Sequence, residues 1–205
     1  MLKERYILEA EKIRYLDLEH DADLDHPVFG EGRENNPVIM FIGEAPGREE
    51  AASGRPFVGK AGKQLDSMLS LAGIDRAMVY VTNAVKYRPI KRKGSSVSNR
   101  TPTAAEVRGG LSLLRAEIEA VDPDVIATLG NVPLSAVVQL AGGVNEPLTV
   151  GAAHGFPVMF LISGKPRRVF PLYHPAASIY NRELKPVLEK DLVMLGEYAR
   201  SIDNE

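Results

Sequence analysis

The sequence predicts an α/β protein: a three-layer α/β/α sandwich with a central, mostly parallel four-stranded sheet. Two observations carry this. The segments 38–42, 78–82 and 124–129 are near-continuous apolar runs of strand length, the pattern of parallel strands buried on both faces. Between them, and before a further strand at 168–172, lie stretches with helical apolar spacing, and strands alternating with helices build a parallel sheet covered on both sides. At 205 residues the chain reads as a single domain, 1–205, long enough to bury a sizeable core, with neither internal repeat nor linker.

Taken in order, residues 2–19 predict a helix, with Leu2, Tyr6, Ile7, Ala10, Ile13 and Leu16 at helical spacing. Asp21, Asp23 and Asp25 follow with D-x-D-x-D spacing. A calcium loop needs glycine at its sixth position and glutamate at its twelfth, where His26 and Gly32 stand, so this is a solvated acidic loop. The strand at 38–42 ends in Gly43-Glu44-Ala45-Pro46-Gly47, a forced turn that leaves Glu44 at the carboxyl end of a strand, where ligands sit in open α/β sheets. A polar link containing Glu50 leads to Phe57, an aromatic in a glycine-bracketed loop, and then to a helix over 60–72 stopped by Gly73. The strand at 78–82 delivers Asn83 to its own carboxyl end. Residues 86–100 read as a long loop carrying Lys86, Arg88, Lys91, Arg92, Lys93 and Arg100 without interspersed acids, a local positive charge suited to phosphates on a chain of net charge −2. Thr103 and Glu106 form a capping box for a helix to about Val121, weakened by Gly109 and Gly110. After the strand at 124–129, Asn131 is expected to cap the next helix, with Pro133 in its first turn. Residues 142–156 read as a loop with one short strand at 148–150, 157–162 and 168–172 as strands, and 183–201 as the closing helix.

Composition narrows the chemistry. No apolar run reaches membrane-spanning length, and the charged amphipathic opening is not a secretory signal, so the expectation is a cytoplasmic protein. Without cysteine there is no disulfide and no thiolate-held zinc or iron–sulfur site, and His20, His26, His154 and His174 lack HExxH spacing. Neither metal nor cofactor is expected. The stretch Gly54–Lys60 has the GxxxxGK spacing of a phosphate-binding loop, but Ala61 stands where magnesium needs a hydroxyl, and no strand precedes it.

Several stretches together resemble one family. GEAPG at 43–47 with its Glu-rich link and GRPFVGKAG at 54–62, TNAVKYRP at 82–89, NRTPTAAE at 99–106 and YHPAAS at 173–178 are similar, in the same order, to the motifs of the family 4 uracil-DNA glycosylases. The resemblance implies a uracil-DNA glycosylase-like fold and a DNA-repair hydrolase that flips uracil out of DNA and cuts its N-glycosidic bond, leaving an abasic site. It implies a pocket of Gly43, Ala45, Phe57 and Asn83 for the base, His174 opposite the charge developing on it, and Glu44 or Glu50 for the water. The basic residues would hold DNA, and Ile179, Tyr180 and Arg182 would enter the duplex. The partner implied is uracil-containing DNA, single- or double-stranded, met by a monomer. The family's four-cysteine iron–sulfur cluster would have ligands near Tyr15 and Leu18, at Tyr87 and near Gly110, and all four are replaced. A glycosylase for hypoxanthine or xanthine, and a weakly catalytic nucleic-acid-binding relative, remain alternatives.

Overall fold

The computed structural model describes residues 22–23, 27–143 and 148–203. The expected helix over 2–19, Tyr15, Leu18 and most of the acidic loop lie outside the described residues. The central sheet has six strands rather than four. Its middle is the expected parallel set: β4 (Val79–Asn83), β3 (Ile39–Gly43), β7 (Val125–Leu129) and β9 (Lys165–Leu172), in that spatial order. Antiparallel edge strands flank it, β2 (Glu31–Gly32) beside β4 and β8 (Val158–Ile162) beside β9.

The alternation within β3 explains the layers. Met40 and Ile42 join Tyr80, Ile126, Leu114, Ile118 and Leu134 in one core, against helices α3 (Ala104–Val121) and α4 (Asn131–Leu140). Ile39 and Phe41 face the other way, into a core with Leu65, Leu69, Leu188 and Leu192 from α2 (Lys60–Leu71) and α7 (Leu184–Asp203). A strand buried on both faces has no polar side to show, which is why these strands read as apolar runs. Short helices α1 (Arg48–Ser53), α5 (Val150–Ala153) and α6 (Ala177–Tyr180) complete the described helices, with a 3₁₀ turn at Arg76–Met78. Among the described residues no helix is long and apolar enough to cross a membrane.

Three expectations need correction. The segment 86–100 is not a loop: β5 (Arg88–Lys93) and β6 (Ser96–Asn99) form a hairpin, and β5 also pairs with β1 (Ala22–Asp23). Residues 148–150 do not form a strand, because Val150 opens α5. Gly130, not Asn131, caps α4. Asn131 instead turns its Oδ1 to accept the N–H of Val150 at 2.8 Å, tying down the loop that returns from α4. The capping box at Thr103 and Glu106 forms as expected, and Gly73 adopts the left-handed conformation, φ +66°, just past α2. Gly110 has a packing reason: a Cβ there would lie 2.5 Å from the carbonyl oxygen of Ala84, so the glycine lets α3 meet the turn after β4.

Candidate active site

The carboxyl ends of β3 and β4 are held level, with Gly43 in register with Asn83. A Cβ on Gly43 would stand 2.5 Å from Asn83 Oδ1 and 2.6 Å from Phe57 Cζ, so only glycine lets the amide and the ring approach the strand end. Phe57 itself sits at φ +56°, a left-handed conformation costly for a bulky residue and therefore imposed by its surroundings. Its carbonyl fits against Gly62 of α2, where a Cβ would stand 1.8 Å from it. Asn83 is 4% exposed.

Asn83, Phe57 and His174 open onto one cavity of about 580 Å³, whose wall also includes Ala45, Gly47, Glu50, Arg88 and Asn99. His174 follows β9 and is half-buried. The backbone N–H of Ala176 donates to its Nδ1 at 3.1 Å, so in the neutral ring the proton resides on Nε2. Burial holds the imidazole pKa below its ordinary value of 6.5, favouring that neutral form. The site therefore holds a neutral N–H donor of fixed tautomer.

The two carboxylates are placed differently. Glu50, on α1, accepts the N–H of Gly47 at 3.1 Å through Oε2 and that of Gly59 at 2.8 Å through Oε1, bracing both glycine turns of the cavity wall. Asn99, which the motif NRTPTAAE contains but residue reasoning did not single out, meets Glu50 over Gly47. A Cβ on Gly47 would lie 2.7 Å from Glu50 Oε2 and 3.3 Å from Asn99 Nδ2. The orientation of that amide is set by Arg88, whose Nε donates to Asn99 Oδ1 at 2.8 Å. Glu44 stands outside the wall, half-buried. Loss of solvent pushes its carboxyl pKa up from 4.5, partly opposed by a hydrogen bond with Thr101.

The basic residues separate into groups. Lys86 is corrected outright: its side chain is fully buried and ion-paired with Glu117, out of reach of any phosphate. Arg88 belongs to the cavity wall. Arg100 is engaged inside the protein, with Nη1 and Nη2 donating to the two carboxylate oxygens of Glu106 at 2.7 and 2.8 Å and Nε to Ile90 O. Lys91, Arg92 and Lys93 are exposed on the hairpin. Tyr180 is 89% exposed and lies on the cavity wall. Arg182 is exposed, and the side chain of Ile179 lies outside the described residues.

The sequence pattern of the family described as "Uracil DNA glycosylase superfamily" matches residues 29–195. The chain belongs to that superfamily. Curated relatives in several organisms bear the name Type-4 uracil-DNA glycosylase. That of Sulfurisphaera tokodaii is 37% identical over 162 residues, covering 78% of this chain and 70% of the relative. That of Saccharolobus solfataricus is 39% identical, covering 85% and 76%, and that of Archaeoglobus fulgidus 38% identical, covering 83% and 80%.

The iron–sulfur cluster implied by the type 4 resemblance does not fit this member of the superfamily. The chain has no cysteine. Tyr87, at one ligand position, is a buried core aromatic, and at Gly110, near another, even a Cβ would collide with the carbonyl of Ala84.

Proposed function

We propose that this protein hydrolyses the N-glycosidic bond of deoxyuridine in DNA, releasing uracil and leaving an abasic site. The observation that carries this is the convergence of a buried amide, an aromatic ring and a neutral imidazole donor on one cavity. Uracil is flat, with two carbonyls and a ring N–H between them. Asn83 donates to one carbonyl and accepts from the N–H, and Phe57 stacks the ring, so a base must leave the helix to be read.

Cleavage breaks the bond from C1′ to N1, and the electron pair passes into the base, spreading onto the second carbonyl oxygen. The Nε2–H of His174 donates to that oxygen as it gains charge. The sugar becomes oxocarbenium-like and is captured by water. Glu50 and Asn99 flank the space over Gly47 and are the pair we assign to this water: the carboxylate accepts its proton while the amide holds its oxygen. Glu44 then acts from behind the wall, through the turn it occupies. The exposed cations of the hairpin grip phosphates, and Tyr180 fills the stack that the base vacates. The scheme as proposed is that of a monomeric enzyme.

The test is to incubate the protein with single- and double-stranded oligonucleotides carrying one uracil, hypoxanthine or xanthine, and then cleave abasic sites with alkali. Scission at uracil in both substrates is expected, with Tyr180→Ala losing more on paired duplex than on single strands. Absence of scission at uracil overturns the assignment, and scission only at hypoxanthine or xanthine reassigns the base.

A further inference from the structure

Beneath the cavity lies a buried charge cluster for which the proposed chemistry has no use. Lys86 and Glu117 form an ion pair with both side chains fully excluded from solvent. The ammonium of Lys86 uses its three protons on Glu117, on Thr82 Oγ1 at 2.7 Å and on the main-chain carbonyl of Asn83 at 2.6 Å. The Thr82 hydroxyl donates onward to the Glu117 carboxylate, at 3.0 Å to Oε1 and 2.9 Å to Oε2. Glu117 also accepts the N–H of Gly30 at 3.1 Å. The cluster therefore joins α3, β4, the turn after β4 and the chain before β2.

A buried ion pair is weak evidence of stabilisation, because desolvating two charges offsets most of their attraction, and well-packed apolar residues often replace such a pair without loss. The location of this one points elsewhere. β2 pairs with Tyr80 and Val81 only, so at the carbonyl of Asn83 a side chain stands where a strand neighbour is lacking. On the other side of the same turn, Ala84 and Val85 donate to the carbonyls of Gly43 and Glu44 at 2.9 and 3.1 Å. The turn from Asn83 to Lys86 is thus held from both sides, and the residue at its start is the one whose amide faces the cavity. A lysine in the fourth place of the turn reaches back to the first, and Glu117 fixes where it can reach.

We infer that Lys86, held by Glu117 and Thr82, is a positioning residue that sets the main chain of Asn83 and so aims its amide at the base. The inference rests on the reading of Asn83 as the base-reading group. It assigns to a buried lysine, one residue of a stretch otherwise suited to phosphates, a part in selecting the base.

The experiment is a double-mutant cycle in single-turnover rates on uracil-containing single-stranded DNA. The pair is removed as Lys86→Met/Glu117→Leu, in the parent, in Asn83→Ala and in His174→Ala backgrounds. A positioning role acts through Asn83 alone. Removing the pair is then expected to slow the parent and the His174→Ala protein by about tenfold or more, and the Asn83→Ala protein by less than about threefold, because residues acting as one unit are not additive. General damage would multiply through every background equally. An equal factor in all three, or none in the parent, overturns the inference. Thr82→Val, which removes only the hydroxyl linking the two charges, is carried through the same cycle and decides the matter should the double replacement not fold. Release of uracil by the parent separates the two levels of failure. A parent that leaves uracil in DNA overturns the reading of the site and this inference with it, whereas an active parent without coupling to Asn83 overturns the inference alone.

Discussion

At the scale of single residues the site depends on protonation states, and these can be tested by pH. Ala176 offers its N–H to Nδ1 of His174, so a proton added there would set donor against donor and displace the ring. Because the ring's pKa is depressed by burial, His174 contributes stability above pH 6.5 that is lost as pH falls through 6.5 toward the lower folded value. The single-turnover rate should accordingly hold its plateau through pH 6.5 and fall only below it, and an acid limb centred at or above 6.5 would remove the neutral-donor role. His174→Ala should slow the chemical step by about 10²–10³, the scale of one lost oxyanion donor. Glu44 carries the opposite sign. Its raised pKa means that its contribution to stability is present below 4.5 and lost as pH rises through the folded value, so at neutral pH the ionised group is held at a cost. Glu44→Gln should raise Tm at pH 7 and leave it unchanged at pH 4. A lower Tm at pH 7, measured by calorimetry, would show that the charge is needed where it stands.

At the scale of elements, the hairpin β5–β6 is the part we propose to hold DNA. Lys91, Arg92 and Lys93 are exposed, whereas Lys86 and Arg100 are spent inside the protein. Neutralising the three exposed cations should flatten the slope of log affinity against log salt by about 0.9 for each duplex phosphate they would otherwise neutralise. Neutralising Arg100 should instead loosen the junction of hairpin and α3. An unchanged slope after the triple substitution, measured by anisotropy titration, would show those cations to be merely solvated. The hairpin also shows what is legible in the sequence and what is not. Strands β3, β4 and β7 are plain because burial on both faces leaves an apolar run. In β5 and β6 most side chains are charged or polar, with Ile90 buried as an apolar anchor of the hairpin, and the remaining sign is the two-residue Gly94-Ser95 connection with Gly94 at φ +59°. Lys86 reads as one more surface cation because of its company. The sign of its burial is remote: Glu117, a carboxylate on the apolar stripe of α3 between Leu114 and Ile118, requires a partner inside the protein. Asn99 is hidden for a similar reason, since its role rests on where a hairpin returns the chain. Asn83 is legible because position at a sheet's carboxyl edge is itself a signal, whereas His174 is picked out by the resemblance of YHPAAS at 173–178.

At the scale of the whole molecule, the chain lacks every cysteine that the cluster of its type 4 resemblance would need. Tyr87 is buried at one ligand position, and at Gly110, near another, α3 meets the carbonyl of Ala84. Prolonged treatment with a chelator and dithionite should leave Tm and uracil release unchanged, and the purified protein should be colourless. A fall in either on chelation would reveal a bound metal on which the fold depends.

The order of strands in the sheet has a consequence for the making of the protein. β3 lies between β4 and β7, and β7 in turn separates it from β9, so the strand that begins the site gains its second neighbour only when the chain has been built past residue 129. Until then one edge of β3 and part of its two apolar faces are uncovered, a species prone to pair with other chains. His174 leaves the ribosome later still. On the proposed reading, Phe57 and Asn83 therefore leave the ribosome well before the imidazole that answers the charge on the base, and a chain that ends between them holds an incomplete site.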